Sequence, residues 1–146
     1  MKKLLGGIAT FVALLIAMAI GKGLGRAAVE TATSPDIDKG LMQVASKINS
    51  GLPMMVDKDT RLDTTVAGPG KKFTYFYTFP AYASTDVDAK AAHDALAPFV
   101  KGNVCGSTDM KPMFKMGVTA HYVYRGNDGA EIVRLSFSPA DCGVSP

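Results

Sequence analysis

RLDTTVAGPGKKFTYFYTF, residues 61–79, is the stretch from which the rest of the chain is best read. Phe73, Tyr75, Tyr77 and Phe79 recur at every second position, the period of a strand that turns one face to a core. Leu62, Thr64 and Val66 alternate in the same way with Asp63 and Thr65, and Gly68-Pro69-Gly70 separates the two runs with turn residues. The spacing predicts an antiparallel hairpin. Its aromatic stripe reads first as core packing, with the phenol oxygens at the rim. Phe76 points opposite to Tyr75 and Tyr77, so helices covering one face would leave aromatic area on the other for a partner. The candidate binding surface is therefore Phe76, Tyr77, Tyr82, Tyr122 and Tyr124.

Working outward, helical periodicity flanks the hairpin on both sides. Ser34-Pro35-Asp36 reads as a helix start, with Ser as N-cap and Pro at the first helical position. Ile37, Leu41, Val44, Ala45 and Ile48 then form one apolar stripe, until Asn49-Ser50-Gly51 and Pro53 stop it. A second helix is expected to be capped by Ser84 or Thr85. It carries Val87, Ala91, Ala92, Leu96, Phe99 and Val100, with Pro98 kinking or shortening its last turn and Gly102 ending it. A short helix follows from about 108 to 116, stopping at Gly117. A second hairpin, Val118 to Tyr124 and Ala130 to Phe137, turns around Gly126-Asn127-Asp128-Gly129. The predicted fold class is α+β: a four-stranded, mainly antiparallel sheet of two hairpins, with helices on one face, preceded by an N-terminal hydrophobic helix.

That N-terminal helix is read from Met1-Lys2-Lys3 and the uncharged run Leu4 to Ile20, a positive n-region before an apolar h-region. At helical rise the run covers roughly 26 Å, against a hydrocarbon core of about 30 Å, and Gly21 to Leu24 extend it while Lys22 snorkels. Ala17-Met18-Ala19 is an A-x-A cleavage pattern, but it lies inside the apolar run, and Arg26-Ala27-Ala28 puts Arg at a disfavoured position. The reading taken is an uncleaved signal-anchor, residues 1–30 with the membrane contact at 4–24. An exported domain, 31–146, then stands in the periplasm of a bacterial inner membrane. The alternative is cleavage and a soluble periplasmic or secreted domain.

The net charge of +3 includes Lys2, Lys3, Lys22 and Arg26, so the exported part is close to neutral. A nucleic-acid surface would need a basic face, and none is expected. Cys105 and Cys142 are the only cysteines, and in an oxidising compartment such a pair reads as one disulfide rather than two buried thiols. Closing that loop is worth about 4 kcal/mol by chain entropy. With no C-x-x-C the bridge reads as structural.

Several stretches between residues 41 and 142 look alike in pattern to a known group. They are Leu52-Pro53-Met54-Met55-Val56-Asp57, Thr60-Arg61-Leu62-Asp63, Lys72-Phe73-Thr74-Tyr75-Phe76-Tyr77, Asp109-Met110-Lys111-Pro112 with Gly117-Val118-Thr119, and Ser138-Pro139-Ala140-Asp141-Cys142. Together they resemble a family of small exported or membrane-anchored Gram-negative proteins of unknown function. The resemblance implies an envelope location and the domain's boundaries, and it transfers no catalytic residue.

No catalytic signature stands out. Asp57, Asp59 and Asp63 are spaced loosely like a calcium loop, but Arg61, Leu62 and Gly68 stand where an EF-hand needs a ligand, a glycine and a glutamate. The reading preferred is ion pairing around Arg61 at the hairpin's entrance. His93 and His121 are the only histidines, too few for a zinc site beside oxidised cysteines, and no G-x-S-x-G elbow accompanies them. Met110, Met113 and Met116 on the short helix read as adaptable core filler. No metal or cofactor is expected. The sequence thus points to a non-enzymatic interaction domain that binds a protein or another envelope component. The alternatives are a soluble periplasmic inhibitor, and a small cell-wall or lipid hydrolase if a histidine meets a serine or carboxylate in a cleft.

Overall fold

The structure, a computed structural model, describes residues 34–146. The apolar helix expected over residues 4–24 and the tether after it lie outside the described residues. Among the described residues no helix is long and apolar enough to cross a membrane.

Helix α1 (Ser34–Asn49) is followed by strands β1 (Met54–Met55), β2 (Arg61–Gly68) and β3 (Lys72–Phe79). Helices α2 (Ala89–Gly106) and α3 (Lys111–Lys115) then lead to β4 (Thr119–Gly126) and β5 (Glu131–Phe137). One-turn 3-10 helices span Ser84–Asp86 and Ala140–Cys142. The α+β class and both hairpins are as the spacing predicts. The sheet, however, has five strands in the order β1-β2-β3-β4-β5 rather than four. The extra strand is a two-residue edge, Met54 against Leu62 and Met55 against Arg61, too short to leave a periodic signal. At the centre β3 and β4 run parallel, Lys72 opposite Thr119 through to Phe79 opposite Gly126. The chain between them passes through α2 and α3, and a crossover of that length lets the next strand start from the same end.

Helix α1 lies along β2 and α2 along β5. Ile37, Leu41, Val44, Ala45 and Ile48 of α1, Leu96, Val100 and Val104 of α2, and Met113 and Phe114 of α3 share one cluster with Phe73, Tyr75, Tyr77, Tyr122, Tyr124 and Leu135. The parallel register sets Tyr75 beside Tyr122 and Tyr77 beside Tyr124. Each pair stacks with ring centroids 5.0 Å apart. The aromatic stripe is therefore doubled, and it fills the core under the helices.

Two local details depart from expectation. The pairing of β2 with β3 shifts between Leu62 and Thr64, a bulge that inserts one residue. Leu62 and Thr65 face the core while Val66 is 47% exposed, because one extra residue sends every later side chain to the opposite face. Asn49 locks this arrangement at the end of α1: its side chain donates to the Thr65 carbonyl at 2.8 Å and accepts from the Thr65 amide at 2.7 Å. Helix α2 is capped by Asp88, which accepts from the Ala91 amide at 2.9 Å, instead of by Ser84 or Thr85. It runs through Pro98 and Gly102 to Gly106. Both breakers stand on the exposed side, while Leu96, Val100 and Val104 pack inward, so tertiary packing overrides their propensities. Cys105 and Cys142 are bonded, tying the last turn of α2 to the 3-10 turn after β5.

Candidate functional site: the outer face of the sheet

Every described helix puts its buried side chains into the inner cluster, which leaves the other side of the sheet uncovered among the described residues. Register assembles that outer face from alternate positions of four strands. Thr64 of β2, Phe76 of β3, Val123 of β4 and Arg134 of β5 form one row across it. Val66, Thr74, His121 and Ser136 form the next. Val123 is fully buried yet stands outside the core cluster, so it is the apolar floor of this face.

The polar groups there hold one another in place. Arg125 lies over the Phe76 ring, with Cζ 4.5 Å from its centroid, a cation–π contact that holds the guanidinium over the outer face. The Arg61 side chain donates to Asp63 at 2.5 Å, and Thr78 donates its hydroxyl to the other oxygen of the same carboxylate at 2.5 Å. Asp63 is thereby used inside the bulge, which is the ion pairing expected around Arg61. Arg134 donates to both oxygens of Glu131, at 3.1 and 2.9 Å, and holds that carboxyl below its usual range. Reading the outer face from sequence missed Arg125. The signal was present, since 119, 121, 123 and 125 alternate on one strand, but only register shows that the ring beneath it is Phe76.

His121 and Ser136 are cross-strand partners, Ser136 Oγ and His121 Nδ1 lying 2.7 Å apart. This is the histidine–serine contact that a hydrolase reading asks for, and its surroundings do not complete it. Burial first, then the charges of Arg134 and Lys72, hold the imidazole below its ordinary pKa, where a catalytic base needs a carboxylate to orient and stabilise it. Among the described residues His121 Nε2 has no hydrogen-bond partner. His93 is on α2 with only Asp94 nearby, at 3.6 Å. Asp57 is turned into its own loop, accepting from the Asp59 amide at 2.8 Å. Among the described residues no group of three or more His, Cys, Asp or Glu is placed to hold a metal ion.

The five aromatic residues singled out from the sequence separate cleanly. Tyr77, Tyr122 and Tyr124 are 0%, 3% and 0% exposed and belong to the core, so they cannot form a contact surface in this fold. The register of β3 with β4 sets Tyr122 and Tyr124 beside Tyr75 and Tyr77 on the inner face. Phe76 is half-buried on the outer face, and Tyr82 is exposed on the loop after β3. That loop is held against the β4–β5 turn: the Asn127 amide donates to the Tyr82 carbonyl at 2.8 Å, and the Ser84 hydroxyl donates to Asp128 at 2.6 Å. Gly126 makes the approach possible, since a Cβ there would stand 2.3 Å from the Ser84 nitrogen. Gly126→Ala is expected to cost about 1–3 kcal/mol, as overpacking does, and to free the Tyr82 loop. Urea denaturation and limited proteolysis between residues 79 and 88 would read both effects.

No protein-family model matches the chain, and no curated protein sequence does either. Solved structures do. A Pseudomonas aeruginosa protein described as secreted superposes with a TM-score of 0.64 at 17% identity, covering 76% of this chain and 98% of its own. The Vibrio vulnificus type 2 secretion system pilotin EpsS gives 0.61 at 14% identity, covering 75% and 94%. The Vibrio cholerae type II secretion pilotin AspS gives 0.56 at 11%, with the same coverage. At these identities the likeness is one of fold: the chain shares its α+β architecture with a protein described as secreted and with two type II secretion pilotins.

Proposed function

We propose that the chain is a non-enzymatic, envelope-exposed interaction domain, held at the bacterial inner membrane by residues 4–24, whose outer sheet face binds an envelope protein. The observation that supports it most is the division of the sheet. Its inner face takes all the helices, and its outer face carries Phe76, Val123 and Arg125 with no structural layer over them among the described residues. An aromatic–arginine pair on an apolar floor is the composition that interface centres favour. The fold neighbours that serve type II secretion systems support an envelope partner, as does the resemblance to small exported Gram-negative proteins. The same face would serve a domain released by cleavage after the apolar run.

A photo-crosslinking residue placed at Phe76 or Thr64 of the full-length chain in cells is expected to capture a discrete envelope protein. The same residue at Met42, 55% exposed on the far side of α1, is expected to capture none. Capture from Met42 with none from Phe76 or Thr64 would move the interface to the helical layer. Mature N-terminal sequencing of the captured species separates anchored from cleaved protein, a start at Ile20 or Lys22 marking cleavage.

A further inference from the structure

We infer that the end of the domain from which the tether leaves is a basic surface that docks on anionic lipid headgroups. This rests on the proposed anchoring by residues 4–24. Asp38, one turn into α1, accepts from the backbone amides of Gly70 and Lys71 at 3.0 and 2.8 Å. The start of α1 and the β2–β3 turn therefore share one end of the domain. The Lys71 carbonyl accepts from the Thr119 amide at 2.9 Å, which brings in the start of β4, and the Lys71 side chain lies against Gly117, just after α3. The Cys105–Cys142 bond adds the end of α2. Lys39, Lys71, Lys72, Lys101, Lys111 and Lys115 thus gather at this end, five of them exposed and Lys71 partly so.

The carboxylates at this end are fewer. Asp36, Asp38, Asp109 and Asp141 are the acidic side chains there; Asp38 holds the turn, and Asp141 accepts from the Ser138 amide at 2.7 Å. The opposite end has the reverse balance: its eight carboxylates, among them Asp57, Asp59, Asp86, Asp88, Asp128 and Glu131, outnumber six cations, among them Lys47, Lys58, Lys90 and Arg125. Basic and acidic side chains balance over the described residues, so the domain is a dipole with little net charge.

The geometry of the tether makes that dipole consequential. If the anchor ends near residue 24, the stretch to Ser34 spans at most roughly 35 Å fully extended. Headgroup fields decay over about 8 Å at physiological salt. A domain tethered at its lysine end samples that layer constantly with the side it attracts, and turning over would bring the carboxylates against like charge. Docking by this end leaves the outer sheet face perpendicular to the bilayer and open to a partner.

The test is full-length protein reconstituted into vesicles of phosphatidylcholine alone or with a third phosphatidylglycerol, with a fluorescent amino acid at position 69, in the β2–β3 turn, or 128 and quencher on the lipid headgroups. Quenching at 69 is expected to exceed that at 128 at least threefold in the anionic vesicles. That ratio should fall toward one in phosphatidylcholine, in 0.5 M salt, and in the Lys72→Glu, Lys115→Glu double variant. Equal quenching at both sites in floated anionic vesicles overturns the docking surface and leaves the anchor standing. Flotation only with anionic vesicles removes the anchor and supports the surface, and failure to float with either removes both. Circular dichroism of the double variant guards against misfolding, and Lys72→Gln, Lys115→Gln is the milder replacement, expected to lower the ratio in the same direction.

Discussion

Tyr75→Ala is expected to destabilise the domain by about 3–5 kcal/mol, the range for removing a large aromatic side chain from a packed core. Tyr75 is 1% exposed, stacks on Tyr122 and lies 5.1 Å from the Phe73 ring centroid, so its loss opens a void between sheet and helices. Phe76→Ala, one residue along, is expected to leave the melting temperature within a few degrees, because its ring contributes to the outer face and not to the core cluster. Tyr75→Phe separates packing from polarity. The Tyr75 hydroxyl has no hydrogen-bond partner among the described residues, so deleting it should cost almost nothing. Chemical denaturation of the three variants is the measurement. A Phe76→Ala protein that unfolds while Tyr75→Ala survives would mean that the two faces have been exchanged.

Alkaline unfolding should be equally pronounced. Tyr75, Tyr77, Tyr122 and Tyr124 all have phenols pushed above the ordinary value, first by burial and then by neighbouring phenols or, for Tyr124, by Asp57. A group whose folded pKa is raised contributes stability that is complete below the unfolded pKa and is lost as pH rises past it. The unfolded phenols ionise near pH 10, so each takes away about 1.4 kcal/mol per pH unit above that, and four together on the order of 5 kcal/mol at pH 11. Whole domains are commonly stable by about 5–15 kcal/mol. Stability should therefore be flat between pH 8 and 9.5 and collapse between about pH 10 and 11.5, with phenolate absorbance rising together with loss of the far-ultraviolet signal. Tyr77→Phe should remove about a quarter of the slope. More than one phenolate per molecule near pH 10 in a folded protein would show that these rings are open to solvent, since only Tyr82 of the five tyrosines is exposed.

The candidate surface was half legible. Phe76 stood out because a bulky residue at an even position of an aromatic strand has to face away from its neighbours. Tyr82 stood out as an aromatic just beyond a strand end. Tyr77, Tyr122 and Tyr124 could not be assigned the same way, since a tyrosine suits a core and an interface equally and its face depends on which strand lies beside it. Arg125 was overlooked for the same reason. A cation on a strand carries no sign of the ring it will cover until the register is set.

Apart from the two-residue edge strand β1, the helices and strands and their order followed from the residues alone. Period-two aromatics, the Gly68-Pro69-Gly70 and Gly126–Gly129 turns, the apolar stripe from Ile37 to Ile48 and the lone cysteine pair are local signals, set by backbone sterics and by the geometry of helix and strand. Three decisions belonged to the tertiary structure. The parallel contact of β3 with β4 depends on where a long crossover delivers the chain, and hydrophobic period is blind to strand direction. The bulge at Asp63 needed its Arg61 and Thr78 partners and the Asn49 clamp on Thr65 to be favourable, and it alone determines that Val66 faces outward. The continuation of α2 through Pro98 and Gly102 reflects burial of Leu96, Val100 and Val104 against the sheet, a gain spread over the whole stripe that outweighs the local cost of two breakers on its exposed side.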